Sequence, residues 1–162
     1  MTELQDRILD AALSHVVFDG WALGTLERAA QQAGLTAFDV KRAFPDGVMG
    51  ALAYFSARAD ARLLETLERD YHLPSMKIRE RIATAVMVRL RANMEHREAL
   101  RRALGVYALP WNVPAATRAL YSTVDTMWRA AGDTSTDYNF YTKRLMLSQV
   151  YASTMRVWLD DQ

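Results

Sequence analysis

A chain of 162 residues without cysteine has the length of one domain or two small ones, and it excludes a disulfide framework, a thiolate metal site and a cysteine nucleophile. Twenty basic against nineteen acidic residues leave a net charge of +1, and 51% of the residues are hydrophobic, which excludes a disordered polyelectrolyte. Seven Gly and four Pro are few for the turns of an all-β chain, whereas Ala, Leu, Arg and Met favour helix, so the expected fold class is all-α. No stretch approaches the roughly 20 consecutive apolar residues of a membrane span. The acidic start Met1–Asp6 lacks the apolar segment of a secretion signal. With the missing thiols, this sets the expected location in the cytoplasm.

Thr2 with Gln5 three residues later reads as a capping box, and Leu4, Ile8, Ala12 and Leu13 share one face of a first helix to about His15. A turn at Phe18-Asp19-Gly20-Trp21 follows. Gly24 or Thr25 opens a second helix that stops at Gly34. Thr36 caps a short third helix, Ala37 to Phe44, closed by Pro45. Asp46 caps a fourth helix to about Tyr71, and Pro74 or Ser75 starts a fifth with Ile78, Ile82, Val86 and Leu90 in register. A sixth spans about Glu95 to Leu109. Pro110 and Pro114 bracket the start of a seventh, which ends near Gly132. After the polar run Asp133–Asp137 a last helix covers Tyr138 to Leu159.

The last helix is apolar nearly all round. Tyr141, Leu145, Ser148, Ala152, Met155 and Leu159 form one stripe; Phe140, Leu147, Tyr151 and Trp158 form another; Met146 and Val150 fill much of the rest. Such a helix is normally covered on every side, and in a chain this short a second subunit is the expected cover, giving a homodimer. Charge is uneven. Residues 1–50 carry four basic and seven acidic residues, net −3, whereas residues 77–102 carry eight and three, net +5. The basic segment reads as a solvated face, or as one drawn to an anionic membrane surface.

Ala30, Gly34, Leu35 and Val40 have helix-turn-helix spacing. With Phe18–Trp21 before and Phe44-Pro45 after, the segment resembles the N-terminal domain of TetR-type repressors. The resemblance implies a helical ligand-binding or dimerisation body behind it, hence domains at 1–45 and 46–162. A ligand-responsive transcriptional regulator is therefore one reading. Its chemistry is poor for DNA: the segment is net negative, and the would-be recognition helix sets Asp39 and Phe38 beside Lys41 and Arg42. No specific DNA binding is expected.

The C-terminal half carries a longer pattern. The run Met127–Arg144, including Gly132-Asp133, Ser135-Thr136-Asp137 and Tyr141-Thr142-Lys143-Arg144, resembles the signature of ubiquinone-biosynthesis accessory proteins, TetR-like lipid-binding components of the coenzyme Q synthesis complex. Lys77–Ile82, Val150–Thr154 and Phe18–Trp21 are similar to the same family. The resemblance implies a non-catalytic homodimer that binds an isoprenoid lipid or quinone intermediate and presents it to a partner, the demethoxyubiquinone hydroxylase. It also implies a peripheral contact with a membrane, expected here at the inner face of a bacterial one. Family members usually continue into a C-terminal amphipathic helix, whereas this sequence stops at Asp160-Asp161-Gln162. Phe140 stands where the family often has Trp, and Lys143 replaces an Arg.

Two sets of candidate residues follow. Asp133 and Asp137 can cap the last helix, and Tyr138, Phe140, Tyr141, Lys143 and Arg144 beside the polar loop form an aromatic and cationic patch for a protein partner. For the lipid, the candidates are Ile82, Val86 and Leu90 on the fifth helix and Leu104 and Tyr107 on the sixth. Leu120, Val124, Met127 and Trp128 on the seventh and Leu147 and Tyr151 on the eighth complete them. Large soft side chains suit an apolar ligand, though the same spacing also describes plain core. No catalytic residue, metal site or cofactor is expected: His15, His72 and His96 lie far apart, and no nucleophile elbow, phosphate loop or dinucleotide fingerprint occurs.

Overall fold

A computed structural model of the chain describes residues 2–134 and 138–161. They form eight α-helices and no strand among the described residues: α1 (Glu3–Asp19), α2 (Leu23–Gln32), α3 (Ala37–Ala43), α4 (Gly47–Asp70), α5 (Ile78–Arg91), α6 (Arg97–Tyr107), α7 (Val113–Ala130) and α8 (Tyr138–Asp160). Short 3₁₀ turns occupy Leu73–Ser75, Met94–His96 and Pro110–Asn112. The all-α expectation holds, with shifted ends. Helix α1 continues past His15 to Asp19, because nothing breaks it before Gly20, whose φ of 75° stops it. Helix α2 begins at Leu23 on the backbone of Ala22, without a side-chain cap. Pro74 and Ser75 make only a 3₁₀ turn, and α5 starts at Ile78, where the Glu80 carboxylate accepts the Lys77 N–H at 2.9 Å.

The chain divides into two compact units: Met1–Arg58 with His96–Ala115, and Ala59–Glu95 with Ala116–Gln162. The first takes in the start of α4 and all of α6 besides the first 45 residues. Its core explains why. Ile8, Leu9, Leu26, Ala29, Ala30, Val40, Leu52 and Phe55 are buried together with Ala99 and Ala103 of α6. Trp21 donates its indole N–H to the Ala99 carbonyl at 2.9 Å and packs against Phe55. Burying a side chain such as Leu26 contributes roughly 1.5–3 kcal/mol.

The helix-turn-helix spacing acts as its residues require. Gly34 at φ 75° lets its own N–H reach Gln31 O at 3.1 Å and lets Leu35 N–H reach Ala30 O at 2.9 Å. This pairing ends a helix on a left-handed residue. Thr36 and Asp39 then cap α3 reciprocally.

The second unit draws its core from the end of α4 (Leu63, Leu67), α5 (Ala85, Val86, Val88, Leu90), α7 (Val124, Met127) and α8 (Leu147, Tyr151). One buried polar cluster interrupts it. The Asp60 carboxylate accepts a 2.6 Å hydrogen bond from Arg89 Nε and one of 3.0 Å from the Thr123 hydroxyl. Burial pushes the Asp60 carboxyl above its usual range, against the pull of Arg89 and Thr123.

Candidate docking patch and apolar groove

The patch is built on the turn between α7 and α8, within the second unit. Gly132 at φ 88° closes α7: its N–H reaches Arg129 O, and the Asp133 N–H reaches Trp128 O, both at 3.0 Å. Arg81 clasps this turn from α5. It donates to Ala131 O at 2.9 Å, to Met76 O at 2.9 Å and to Pro74 O at 3.1 Å.

Asp133 is thereby fixed with its side chain only 5% exposed, and it accepts from Lys143 Nζ at 2.9 Å and Arg144 Nη1 at 3.0 Å. Arg144 also donates from Nε to Asp125 at 2.7 Å, and Asp125 takes a second bond of 2.7 Å from Arg129. The result is an alternating ladder, Arg129–Asp125–Arg144–Asp133–Lys143. Burial opposes the charge on Arg144, but the hydrogen bonds of Asp125 and Asp133 outweigh it and hold the guanidinium above its usual pKa.

These contacts sort the candidate residues by role. Tyr138 and Tyr141 are exposed, at 83% and 67%. Phe140 and Lys143 are half-buried. Arg144 is buried at 2%, so it lies beneath the patch rather than on it. Its guanidinium stacks 3.4 Å from the Phe140 ring centre, and Phe140 in turn meets Tyr141 edge-on. Lys143 sits over the Trp128 ring, whose N–H donates to the Lys143 carbonyl at 3.2 Å. Tyr141 is therefore backed, through Phe140, by a buried ionic frame, and Tyr138 stands one turn before it on the same helix. Asp137 lies outside the described residues. Asp125 escaped the sequence reading, although it stands four residues before Arg129, a spacing that pairs charges on a helix; Arg81 falls in the family-like run Lys77–Ile82 but was not among the expected patch residues.

Beside the turn runs an open groove of about 520 Å³, lined by the apolar Leu64, Leu67, Tyr71, Leu73, Pro74 and Ala130 together with Glu68, His72, Arg81 and Gly132. None of the eleven expected lipid residues lines it. Val86, Leu90, Val124, Met127, Leu147 and Tyr151 fill the core of the second unit, and Ile82, Leu120 and Trp128 pack against that core. Tyr107 packs against the other core, and Leu104 shares its helix. Helical spacing marks the inward face of a helix and does not by itself separate a packed seam from an open one. The groove did carry a signal: Leu64 and Leu67 on α4 and Tyr71 just past its end recur at intervals of three and four. Among the described residues, no three His, Asp or Glu are placed to hold a metal ion.

Comparison with known proteins gives a consistent picture. Residues 113–162 match the COQ9 family model. The human "Ubiquinone biosynthesis protein COQ9, mitochondrial" is 36% identical over 98% of this chain and 52% of that protein. The Xenopus laevis protein COQ9-B is 35% identical over 98% of the chain and 56% of its own length, and the Drosophila melanogaster COQ9 is 26% identical over 98% and 49%. The chain thus spans about half the length of these relatives. The crystal structure of a TetR transcriptional regulator from Nitrosomonas europaea superposes with a TM-score of 0.77, covering 99% of this chain and 88% of that one at 20% identity. The fold is therefore TetR-like, and the family resemblance read from the motifs is matched by sequence similarity along nearly the whole chain.

Proposed function

From the similarity to COQ9 proteins we propose that this chain serves ubiquinone biosynthesis as a non-catalytic carrier. It binds an isoprenoid quinone intermediate and presents it to the demethoxyubiquinone hydroxylase. One observation carries the reading: the Gly132-Asp133 turn both borders the apolar groove and anchors the ionic frame that backs Phe140 and Tyr141. A ligand seated against Leu64, Tyr71 and Leu73 would therefore end beside the surface that meets the enzyme. The groove is lined mostly by apolar residues with a few polar ones among them, as a prenylated ring requires. Exposed aromatics on a rigid base are suitable interface anchors, since little side-chain freedom is lost on docking. The working assembly is a homodimer joined through the outer face of α8.

The test combines two measurements. Native mass spectrometry with organic extraction of the purified protein should recover a prenylated quinone or a related lipid; Leu64→Glu, which places a charge in the groove at a position 44% exposed, should abolish its retention. Tyr138→Ala with Tyr141→Ala should weaken binding to the hydroxylase at least tenfold, about 1.4 kcal/mol, while melting is unchanged. Protein that retains no isoprenoid, or tyrosine variants that bind the hydroxylase normally, would remove the corresponding half of the proposal.

A further inference from the structure

Three large apolar side chains of the N-terminal helices stay outside the core. Phe18 near the end of α1 is 81% exposed, Leu23 at the start of α2 49%, and Phe38 on α3 71%. Single exposed apolar residues need no explanation, but these three adjoin one feature. An open groove of about 780 Å³ has Asp19, Gly24, Glu27, Arg28, Leu35 and Ala37 in its lining, and all its residues belong to the first unit. Phe18 precedes Asp19 in the chain, Leu23 precedes Gly24, and Phe38 follows Ala37. The volume lies within the range of about 300–1,000 Å³ usual for ligand clefts.

The walls of this groove are braced. Arg28 pairs with Asp19 at 3.0 Å and so ties the end of α1 to α2. The Leu35 N–H bond to Ala30 O at 2.9 Å and the reciprocal cap of Thr36 with Asp39 fix the start of α3. The lining is also roomy: a Cβ added at Gly24 would meet nothing within 4 Å, and Ala37 presents only a methyl group, so a partner's backbone can come close. The lining holds three charged residues, Asp19, Glu27 and Arg28. Arg28 is taken by Asp19, whereas Glu27 has no ion-pair partner among the described residues. One negative charge is therefore left over in the groove.

We propose that this groove docks a basic amphipathic helix of a partner protein. The apolar stripe of the incoming helix meets Phe18, Leu23 and Phe38, and a lysine or arginine beside that stripe pairs with Glu27. Helices bind grooves in this manner, through anchors spaced by three and four residues. Exposed phenylalanines on braced walls act as anchors with little loss of freedom on docking. The charge selects between the two polymers that a helix-turn-helix could meet. A carboxylate left over in the groove repels a phosphate backbone and attracts a cationic polypeptide. The inference goes beyond the quinone reading and does not rest on it, because the Gly132 groove and the α7–α8 patch belong to the other compact unit.

The experiment is fluorescence anisotropy of the purified full chain with a labelled helical peptide of leucine and lysine, its leucines at i, i+3, i+4 and i+7. Two analogues serve as controls, one with glutamate for lysine and one with serine for leucine. At physiological salt the leucine–lysine peptide should bind, each analogue about tenfold more weakly or less, and the amide signals of Gly24 and Ala37 should shift on titration. Gly24→Tyr, which fills the groove, should lower affinity about tenfold, as should Phe18→Ser with Phe38→Ser. Gly24→Tyr should melt no lower than the parent, because glycine is the poorer helix former. Glu27→Lys should reverse the preference toward the glutamate analogue. Failure of the wild-type protein to bind the leucine–lysine peptide would overturn the proposal, as would equal binding of the serine analogue or undiminished binding by Gly24→Tyr. Displacement of the peptide by a mixed-sequence DNA duplex would give the groove to nucleic acid instead, and a lower subunit count in the Phe18 and Phe38 variant would give it to a second copy; either result would also overturn it. None of these outcomes touches the quinone extraction, so the two readings fall separately.

Discussion

Tyr54 donates a 2.9 Å hydrogen bond to Asp6 from a position only 7% exposed, and burial followed by that bond pushes its phenol up to about 12. A phenol whose folded pKa exceeds its unfolded one contributes stability that is complete below about pH 10 and is lost as pH rises through about 12. Burial raises Tyr107 and Tyr151 as well. Phenolate absorbance should therefore show these three tyrosines titrating late and together with alkaline unfolding, and Tyr54→Phe should remove one of the late groups. Early ionisation of every tyrosine would contradict the packing. At the same scale, Arg144→Ala leaves Asp133 and Asp125 buried without their shared cation and should cost about 3–5 kcal/mol in urea unfolding. Tyr141→Ala should stay within about 0.5 kcal/mol. The sequence showed that Arg144 and Tyr141 matter together. It did not show that one is frame and the other surface, because three residues of spacing on a helix do not say where the neighbouring acids sit.

Helix α8 shows what periodicity can and cannot settle. The stripe of Leu147, Tyr151 and Trp158 turns inward, whereas Leu145, Met146, Val150 and Val157 remain 57–66% exposed. An apolar surface of this length on one helix is more than isolated exposed residues explain. The sequence reading of an all-round apolar helix was sound, but which stripe faces inward depends on α5 and α7, which the helix alone cannot reveal. If the outer stripe is the dimer seam, Leu145→Glu with Val150→Glu should give a folded monomer by sedimentation with unchanged helicity. Leu147→Glu should instead lose the fold, since it buries an unpaired charge. A double variant that sediments like the parent would place the seam elsewhere. Capping signals were the most readable elements: Thr2 with Gln5, Thr36, and Gly34 all act as their residue types require, and the structure adds Asp39 as the reciprocal partner of Thr36. The uncapped start of α2 left no such mark, so its boundary was missed.

For the whole molecule, the fold of a DNA-binding family coexists with charges that work against DNA. Residues 1–50 are net −3, and their cations are partly committed within the chain. Arg28 pairs with Asp19 at 3.0 Å and Arg42 with Asp39 at 3.1 Å. Asp39 cannot easily be spared, because it caps α3, and the Thr36 N–H and hydroxyl hold its carboxyl below the usual range. It therefore remains charged at neutral pH, at the end of the helix that a regulator would set in the major groove. Phe38, 71% exposed on that helix, offers no hydrogen bond to a base edge. With about two phosphates neutralised, the logarithm of affinity would fall with the logarithm of salt at a slope of about −2. Fluorescence anisotropy with mixed genomic duplexes should show only weak, sequence-indifferent binding that vanishes by physiological salt. Tight binding to one discrete sequence with a slope several times steeper would restore the regulator reading. It would also require Arg28 and Arg42 to leave their acids, which Asp19→Asn and Asp39→Asn would then reveal as a gain in affinity.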